Sequence, residues 1–278
     1  MEILNPDVGV IGGGVGGCAA ALALAEAGHR VVMTEEYDWI GGQLTSQAVP
    51  PDEHGWIEQF GCTATYRRFR EGVRAYYRMH YPLLPRHRDD PRLNPGNGWV
   101  SPLCHEPCVA LAVLESMLAP HVSSGRVCIM RRHRPIEALT DGDCVTAVRV
   151  RDGATGEVTE LRASYFLDAT ENGDLLPLAA IEHVTGAESR GETGETSAPE
   201  RAVSANVQAF SVCFILEEHA AESHVIPRPA RYDFWREYVP KLSPLWPGPL
   251  LGWAGLNPRT MQPMRYNFDP HREKPGLF

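Results

Sequence analysis

The segment Gly12-Gly13-Gly14-Val15-Gly16-Gly17 constrains this chain more than any other stretch. It satisfies G-x-G-x-x-G at Gly12, Gly14 and Gly17, and its setting matters as much as its spacing. Val8-Gly9-Val10-Ile11 before it is a short apolar run that reads as a strand. Ala19 to Ala27 after it is rich in Ala and Leu, strong helix formers, and Gly28 stands where a helix C-cap belongs. Arg30-Val31-Val32-Met33-Thr34-Glu35 then reads as a buried parallel strand. A β-α-β unit this short implies a right-handed crossover and a parallel sheet, hence the α/β class. Each glycine has a physical task. Gly12 permits the tight turn out of the strand, Gly14 lets backbone approach a diphosphate, and Gly17 lets the helix pack close to the sheet. The helix start offers unpaired N–H groups and the positive end of its dipole to an anion. Glu35, at the end of the second strand, is placed to accept hydrogen bonds from the ribose hydroxyls of an adenosine.

Size and charge narrow the rest. The chain has 278 residues, room for one large domain or two ordinary ones. Its 26 Lys+Arg against 35 Asp+Glu leave a net charge of −9, which argues against nucleic acid as a partner. The longest apolar run near the start, Cys18 to Ala25, is far short of the roughly 20 residues a membrane helix needs, so no membrane partner is expected. Met1 to Asp7 lacks the basic region and apolar core of a signal peptide. The seven cysteines are odd in number, scattered, and free of C-x-x-C, which points to a reducing, cytoplasmic setting.

Further along, a helix is expected over Tyr66 to Met79 and another from about Glu106 to Leu118, with Pro107 near its start. Arg126 to Arg131, Ile136 to Thr140 and Cys144 to Arg151, separated by turn material, read as a β-meander, and Ala163 to Asp168 as one more buried strand. Phe210 to Glu217 alternates weakly and is a strand candidate. Ten of the 23 prolines lie between Pro227 and Pro275, so regular structure there is sparse. The chain stops at Phe278 with no terminating element, which suggests that a C-terminal part is missing.

These residues resemble the FAD-dependent oxidoreductases of the glutathione-reductase superfamily, of the type that binds two dinucleotides, and within it a bacterial subfamily known only as FAD-dependent oxidoreductases. The resemblance rests on Val8 to Glu35, on Gly41-Gly42-Gln43-Leu44-Thr45, on the helix start at Cys104-His105-Glu106-Pro107, and on Leu167-Asp168-Ala169-Thr170. It implies a Rossmann-like FAD-binding domain with a parallel sheet and β-meander over 1–175, interrupted by an insertion at about 48–103, and the start of a smaller substrate domain over 176–278. It implies FAD as cofactor. Contacts would come from Gly12, Gly14, Val15, Gly16 and Gly17, from Glu35 and Glu36, and from Gly41, Gly42, Gln43 and Thr45. Ile136 would give a backbone contact to adenine, and Ala169 and Thr170 would meet the cofactor at the last strand end. Glu171 departs from the usual Ala-Thr-Gly, a costly change if the backbone there needs positive φ or close ligand approach.

The chemistry expected is hydride transfer from a small-molecule substrate to the flavin. Residues 43–61 hold no cysteine and no second G-x-G-x-x-G follows a strand, which argues against a flavin disulfide reductase. A monooxygenase whose flavin is reduced by external NAD(P)H, and a non-catalytic FAD-binding fragment that needs a partner chain, stay open. So do a homo-oligomer and a separate C-terminal partner segment. His54 is the candidate for acid/base work, with a surface loop histidine as the alternative. Thr45, Ser46 and Gln47 either bond the flavin edge or satisfy their own loop. Arg67, Arg70, Arg74 and Arg78 make a basic stripe, read as a solvated face or a seat for an acidic substrate or partner. Cys104, His105 and Cys108 lack the fourth ligand and spacing of a zinc site, so no metal is expected. Phe234-Trp235 and Trp246 to Trp253 are either a pocket wall or core filler.

Overall fold

A short strand β1 (Glu2–Leu4) leads into β2 (Val8–Ile11), α1 (Val15–Glu26) and β3 (Val31–Glu35), the crossover expected from the glycine loop. The structure, a computed structural model, describes residues 1–265 apart from Trp99, Ala209, Glu218, Ala220, Pro258 and Arg259. A one-turn 3-10 helix at Gly42–Leu44 follows, then α2 (Ala64–His80), the short α3 (Pro85–Arg88) and α4 (Pro107–Ser123). Next come β4 (Val127–Arg131), β5 (His133–Asp141), β6 (Cys144–Asp152), β7 (Val158–Arg162), β8 (Tyr165–Asp168), and the single turns α5 (Leu175–Leu178) and α6 (Arg190–Thr193). None of these helices is long and apolar enough to cross a membrane.

Two four-stranded sheets carry this unit. One is wholly parallel with order β4-β3-β2-β8. The other has order β1-β7-β6-β5, antiparallel except where β1 lies parallel to β7. The segment at Val127–Arg131 therefore belongs to the parallel sheet, beside β3, and not to the meander. It follows α4, and a crossover helix delivers its next strand parallel. Strand β8, expected to be buried, is instead an edge strand with Tyr165 and Leu167 exposed. Residues 210–217 form no strand.

Alternation builds two cores from the same strands, because successive side chains face opposite ways. Val8, Val10, Val31 and Met33 pack under α1, α2 and α4 with Leu22, Phe69, Val73 and Leu114. Ile11 and Val32 face the other side and meet Val148, Val150 and Leu161 of the meander and Leu175. Tyr77 of α2 reaches full burial while Tyr76 stays at the margin. Thr63 caps α2 by accepting the Tyr66 N–H at 3.2 Å.

The chain divides into two compact units, Met1–Gly96 with Val100–Ile215, and Asn97–Trp99 with Leu216–Phe278. The second contains α7 (Tyr232–Glu237) and the antiparallel pair β9 (Ala254–Leu256) and β10 (Pro263–Arg265). In α7 and just beyond it, Phe234, Trp235 and Tyr238 pack together at 5.0–5.6 Å, Trp235 edge-on to the other two rings and Phe234 stacked on Tyr238, with the Arg231 guanidinium over Phe234.

Candidate functional site

The parallel sheet reverses its strand order at β2: the chain moves outward to β3 and β4, then returns to place β8 on the other flank. Ligands of open α/β sheets lie outside the carboxyl strand ends at such a reversal. A cleft occupies that position, lined by Gly12, Gly13, Gly14, Glu35, Glu36 and Gly42 and closed by Ala169, Thr170 and Glu171.

The glycines are required by close approach. Gly12 has φ +104°, and a Cβ there would come within 2.2 Å of the Ala169 carbonyl oxygen. The first glycine is thus fitted to the last strand end as well as to its own turn. A Cβ on Gly17 would lie 1.9 Å from the Gly12 carbonyl oxygen, so α1 sits tight on its own loop. The Thr34 hydroxyl accepts the Gly12 N–H at 3.1 Å. Gly41, at φ +100°, donates its N–H to the Gly13 carbonyl at 2.8 Å. The second glycine pair is therefore docked directly on the first loop. Gly14 is the N-cap of α1 and has no side chain to cap it, which leaves first-turn N–H groups facing the cleft.

Glu35 is 6% exposed. Its Oε1 accepts the Tyr37 N–H at 2.9 Å. Burial pushes its carboxyl above the usual range; the Tyr37 N–H opposes this, while the charges of Glu171 and Glu36 add to it. No guanidinium or ammonium among the described residues pairs with it. A buried carboxylate without a cation is an acceptor awaiting donors.

The third strand end is organised by Asp168. Its Oδ1 accepts the Thr170 N–H at 3.0 Å and the Thr170 hydroxyl at 2.7 Å, and its Oδ2 accepts the Leu175 N–H at 2.9 Å. The Thr170 hydroxyl in turn accepts the Asp174 N–H at 2.7 Å. Asp168 carries a sequence signal of its own, because Asp two residues before a loop N–H is an Asx-turn pattern. Glu171 is absent from the positive-φ residues, so the backbone there tolerates a side chain.

The expected site residues separate by position. Gly12, Gly14, Glu35, Glu36, Gly42, Ala169 and Thr170 line the cleft. Ile136 lines an adjoining hollow that shares Glu36, Pro135, Asn172 and Asp174 with it. Val15, Gly16, Gly17 and Gly41 do not line the cleft: Val15 and Gly16 are exposed at the start of α1, while Gly17 and Gly41 are buried against the glycine loop. Gln43 and Thr45 are turned to their own loop: the Gln43 amide donates to the Pro50 carbonyl at 3.4 Å, and the buried Thr45 hydroxyl to the Ile40 carbonyl at 2.6 Å. Ser46 and Gln47, next along, do line the cleft. His54 does not. Its Nδ1 accepts the Trp56 N–H at 3.1 Å and its Nε2 meets the Gly61 carbonyl at 3.3 Å, so the exposed ring fastens the 54–61 turn.

The arginine stripe is a clear departure from a solvated face. Arg70 is 0% exposed and Arg74 5%. Arg70 meets both Glu53 oxygens at 3.0 and 3.1 Å and also pairs with Glu58, which Arg74 holds at 2.6 and 3.1 Å. Burial alone would raise the Glu58 carboxyl, yet Arg74 and Arg70 hold it down at about 2. Cys104, His105 and Cys108 form no ligand cluster among the described residues, Cys108 being exposed. Cys104 is buried, and Glu106 accepts the Tyr77 and Tyr81 hydroxyls at 3.0 and 2.5 Å. Among the described residues one trio could gather on a metal ion, the exposed His219, Glu222 and His224.

Residues 7–268 match the family described as FAD dependent oxidoreductase. The chain belongs to that family, and FAD is its cofactor. The carotenoid phi-ring synthase of Streptomyces griseus is 39% identical over 80 residues, 28% of this chain and 13% of that protein. The chain thus spans a small part of that curated relative's length. The myxobacterial chondrochloren halogenase CndH overlays with TM-score 0.36 at 22% identity, covering 62% of this chain and 38% of the other. Thermovibrio ammonificans THI4 does so with TM-score 0.38 at 18% identity, covering 73% and 77%. The cleft fits the cofactor on its own terms. A Cβ at Gly14 would meet only the flexible end of Glu171, at 3.2 Å, and one at Gly16 nothing within 4 Å, so backbone N–H groups are open to a diphosphate.

Proposed function

We propose that this chain is the FAD-holding part of an oxidoreductase that takes hydride from a small organic substrate. One observation carries the reading. The glycine loop, a buried Glu35 with no cation among the described residues, and the Ala169–Thr170 strand end converge on one cleft at the strand-order reversal. FAD, when bound, supplies the hydride acceptor. The chain's own residues bind, orient and shield. The first turn of α1 faces the diphosphate with its N–H groups. Glu35 accepts from the adenosine ribose, and Ile136 supplies backbone to the adenine. Gly41 and Gly42 hold the chain close on the flavin side, with Gln43 and Thr45 shaping that loop from behind. Ser46 and Gln47 offer polar groups there. His54 is the sequence-based candidate for the proton that accompanies hydride, and its engagement with the 54–61 turn is the obstacle that candidate must meet. A reducing, cytoplasmic setting suits the seven cysteines, none of which forms a disulfide.

The test is reconstitution followed by reduction. The purified chain is expected to take up FAD with a yellow absorbance, and a panel of small organic substrates under anaerobic conditions should bleach it. Failure to take up FAD under any condition would overturn the cleft assignment. Bleaching by NAD(P)H alone, with no organic donor, would replace the hydride-donor reading with an externally reduced monooxygenase.

A further inference from the structure

Glu171 is the residue that the cleft's geometry leaves unexplained. Its Oε1 lies 3.2 Å from the point where a Gly14 Cβ would be and 3.1 Å from the corresponding point on Gly42. The same point on Gly42 is 3.1 Å from the Gly14 Cα and 3.8 Å from the Gln47 amide nitrogen. The carboxylate therefore stands between the two glycine elements, beside the positive end of α1. Among the described residues no side chain donates a hydrogen bond to it. Glu35 stands at the neighbouring position: a Cβ on Gly13 would meet Glu35 Oε2 at 2.9 Å. Consecutive residues of the phosphate loop thus each face a carboxylate, Glu35 at Gly13 and Glu171 at Gly14 and Gly42.

We propose that Glu171 is a second hydroxyl-binding carboxylate of this site, which receives the ribityl chain of FAD as Glu35 receives the adenosine ribose. The proposal rests on the placement of the diphosphate at the start of α1 argued above. From that placement the direction follows. The cofactor runs ribose, diphosphate, ribityl chain, and Glu171 stands at Gly42, on the flavin side of the loop, so the group it meets is the ribityl polyol. An ionised carboxylate has acceptors only, and the hydroxyls of a polyol are its natural donors. A carboxylate beside a diphosphate without such donors would repel it, as like charges do. Hydroxyls between them remove that conflict.

Two ligands separate the ends of the site. ADP carries the adenosine and the diphosphate but no ribityl chain; FAD carries all three. Binding of each is measured on the 278-residue chain, FAD by quenching of its fluorescence and ADP by calorimetry. Glu171→Gln should weaken FAD about tenfold and leave ADP within about twofold, as loss of one charged hydrogen bond predicts. Glu171→Asp should recover part of the FAD affinity. Glu35→Gln should weaken both ligands. If Glu171→Gln tightens FAD and ADP alike, Glu171 is only a charge in the diphosphate's way, and the proposal fails. If it changes neither, the proposal fails equally. If Glu35→Gln changes neither ligand, the underlying placement of the cofactor falls, and the role of Glu171 with it.

Discussion

Two sets of carboxylates in the first unit meet opposite surroundings. Glu53 and Glu58 are gripped by Arg70 and Arg74, with every charge answered by another side chain. Glu35 is as deeply placed but among the described residues is met by backbone N–H alone, with the Glu171 charge near it in the same cleft. The first arrangement fastens the 48–62 loop to α2. The second leaves acceptors open toward a cleft. Burial of acidic groups alone does not mark a binding site; burial without a cation, beside a helix start, does.

The sharpest test of this contrast is removal of Arg70. Arg70→Ala strands Glu53 and leaves Glu58 to Arg74 alone, and should cost about 3–5 kcal/mol in chemical denaturation, as loss of one partner from a buried pair does. FAD affinity of the folded fraction should stay unchanged. A variant that kept its stability but lost FAD would show that the arginines serve the cleft after all. On the cleft side, Gly12→Ala forces a Cβ to within 2.2 Å of the Ala169 carbonyl at φ +104°. Strain of about 1–3 kcal/mol is expected together with loss of flavin from the purified protein, read by absorbance after gel filtration. Glu35→Ala should weaken FAD by about 1–3 kcal/mol, the worth of a charged hydrogen bond, with no loss of stability in the FAD-free protein. Unchanged affinity would detach Glu35 from the ribose.

The pH dependence should differ in sign between the two sets. Glu58 is held at about 2, below its ordinary 4.5, so its stabilisation is present above 4.5 and lost as pH falls toward 2. Glu58→Gln should flatten that acid limb in thermal unfolding. Glu35 is raised above 4.5, so its contribution is greatest below that value and is lost as pH rises through its folded value. Glu35→Gln should therefore stabilise the FAD-free protein at neutral pH, and a Glu35→Gln protein that is less stable there would contradict the reading of its burial. The smallest effect is expected from His54→Ala. It should loosen the 54–61 turn, seen as faster proteolysis there, and leave FAD affinity within about twofold. A large shift in the pH profile of flavin reduction would instead restore the acid/base role.

Local features of the sequence determined the local geometry. The glycine spacing, the apolar runs on either side and the Ala-rich helix specify a crossover with an anion-facing turn, because each depends on contiguous backbone. Gly41-Gly42 and Ala169-Thr170 were legible for the same reason, as positions where side chains must be small. Only the tertiary structure decided that Gly12 is fitted to Ala169, that Gly41 bonds to Gly13, and that the Arg70 and Arg74 face is interior. Helical spacing put those arginines on one stripe, but no local pattern announces that Glu53 and Glu58 of a separate loop fold onto it. The local pattern reads the strand at Val127–Arg131 as part of the meander, and the tertiary structure puts it beside β3 for a related cause: its partner is selected by the path of α4. Whether a charge meets water, another charge or a ligand is settled by residues distant in sequence, and the closure that brings them together is a property of the whole unit.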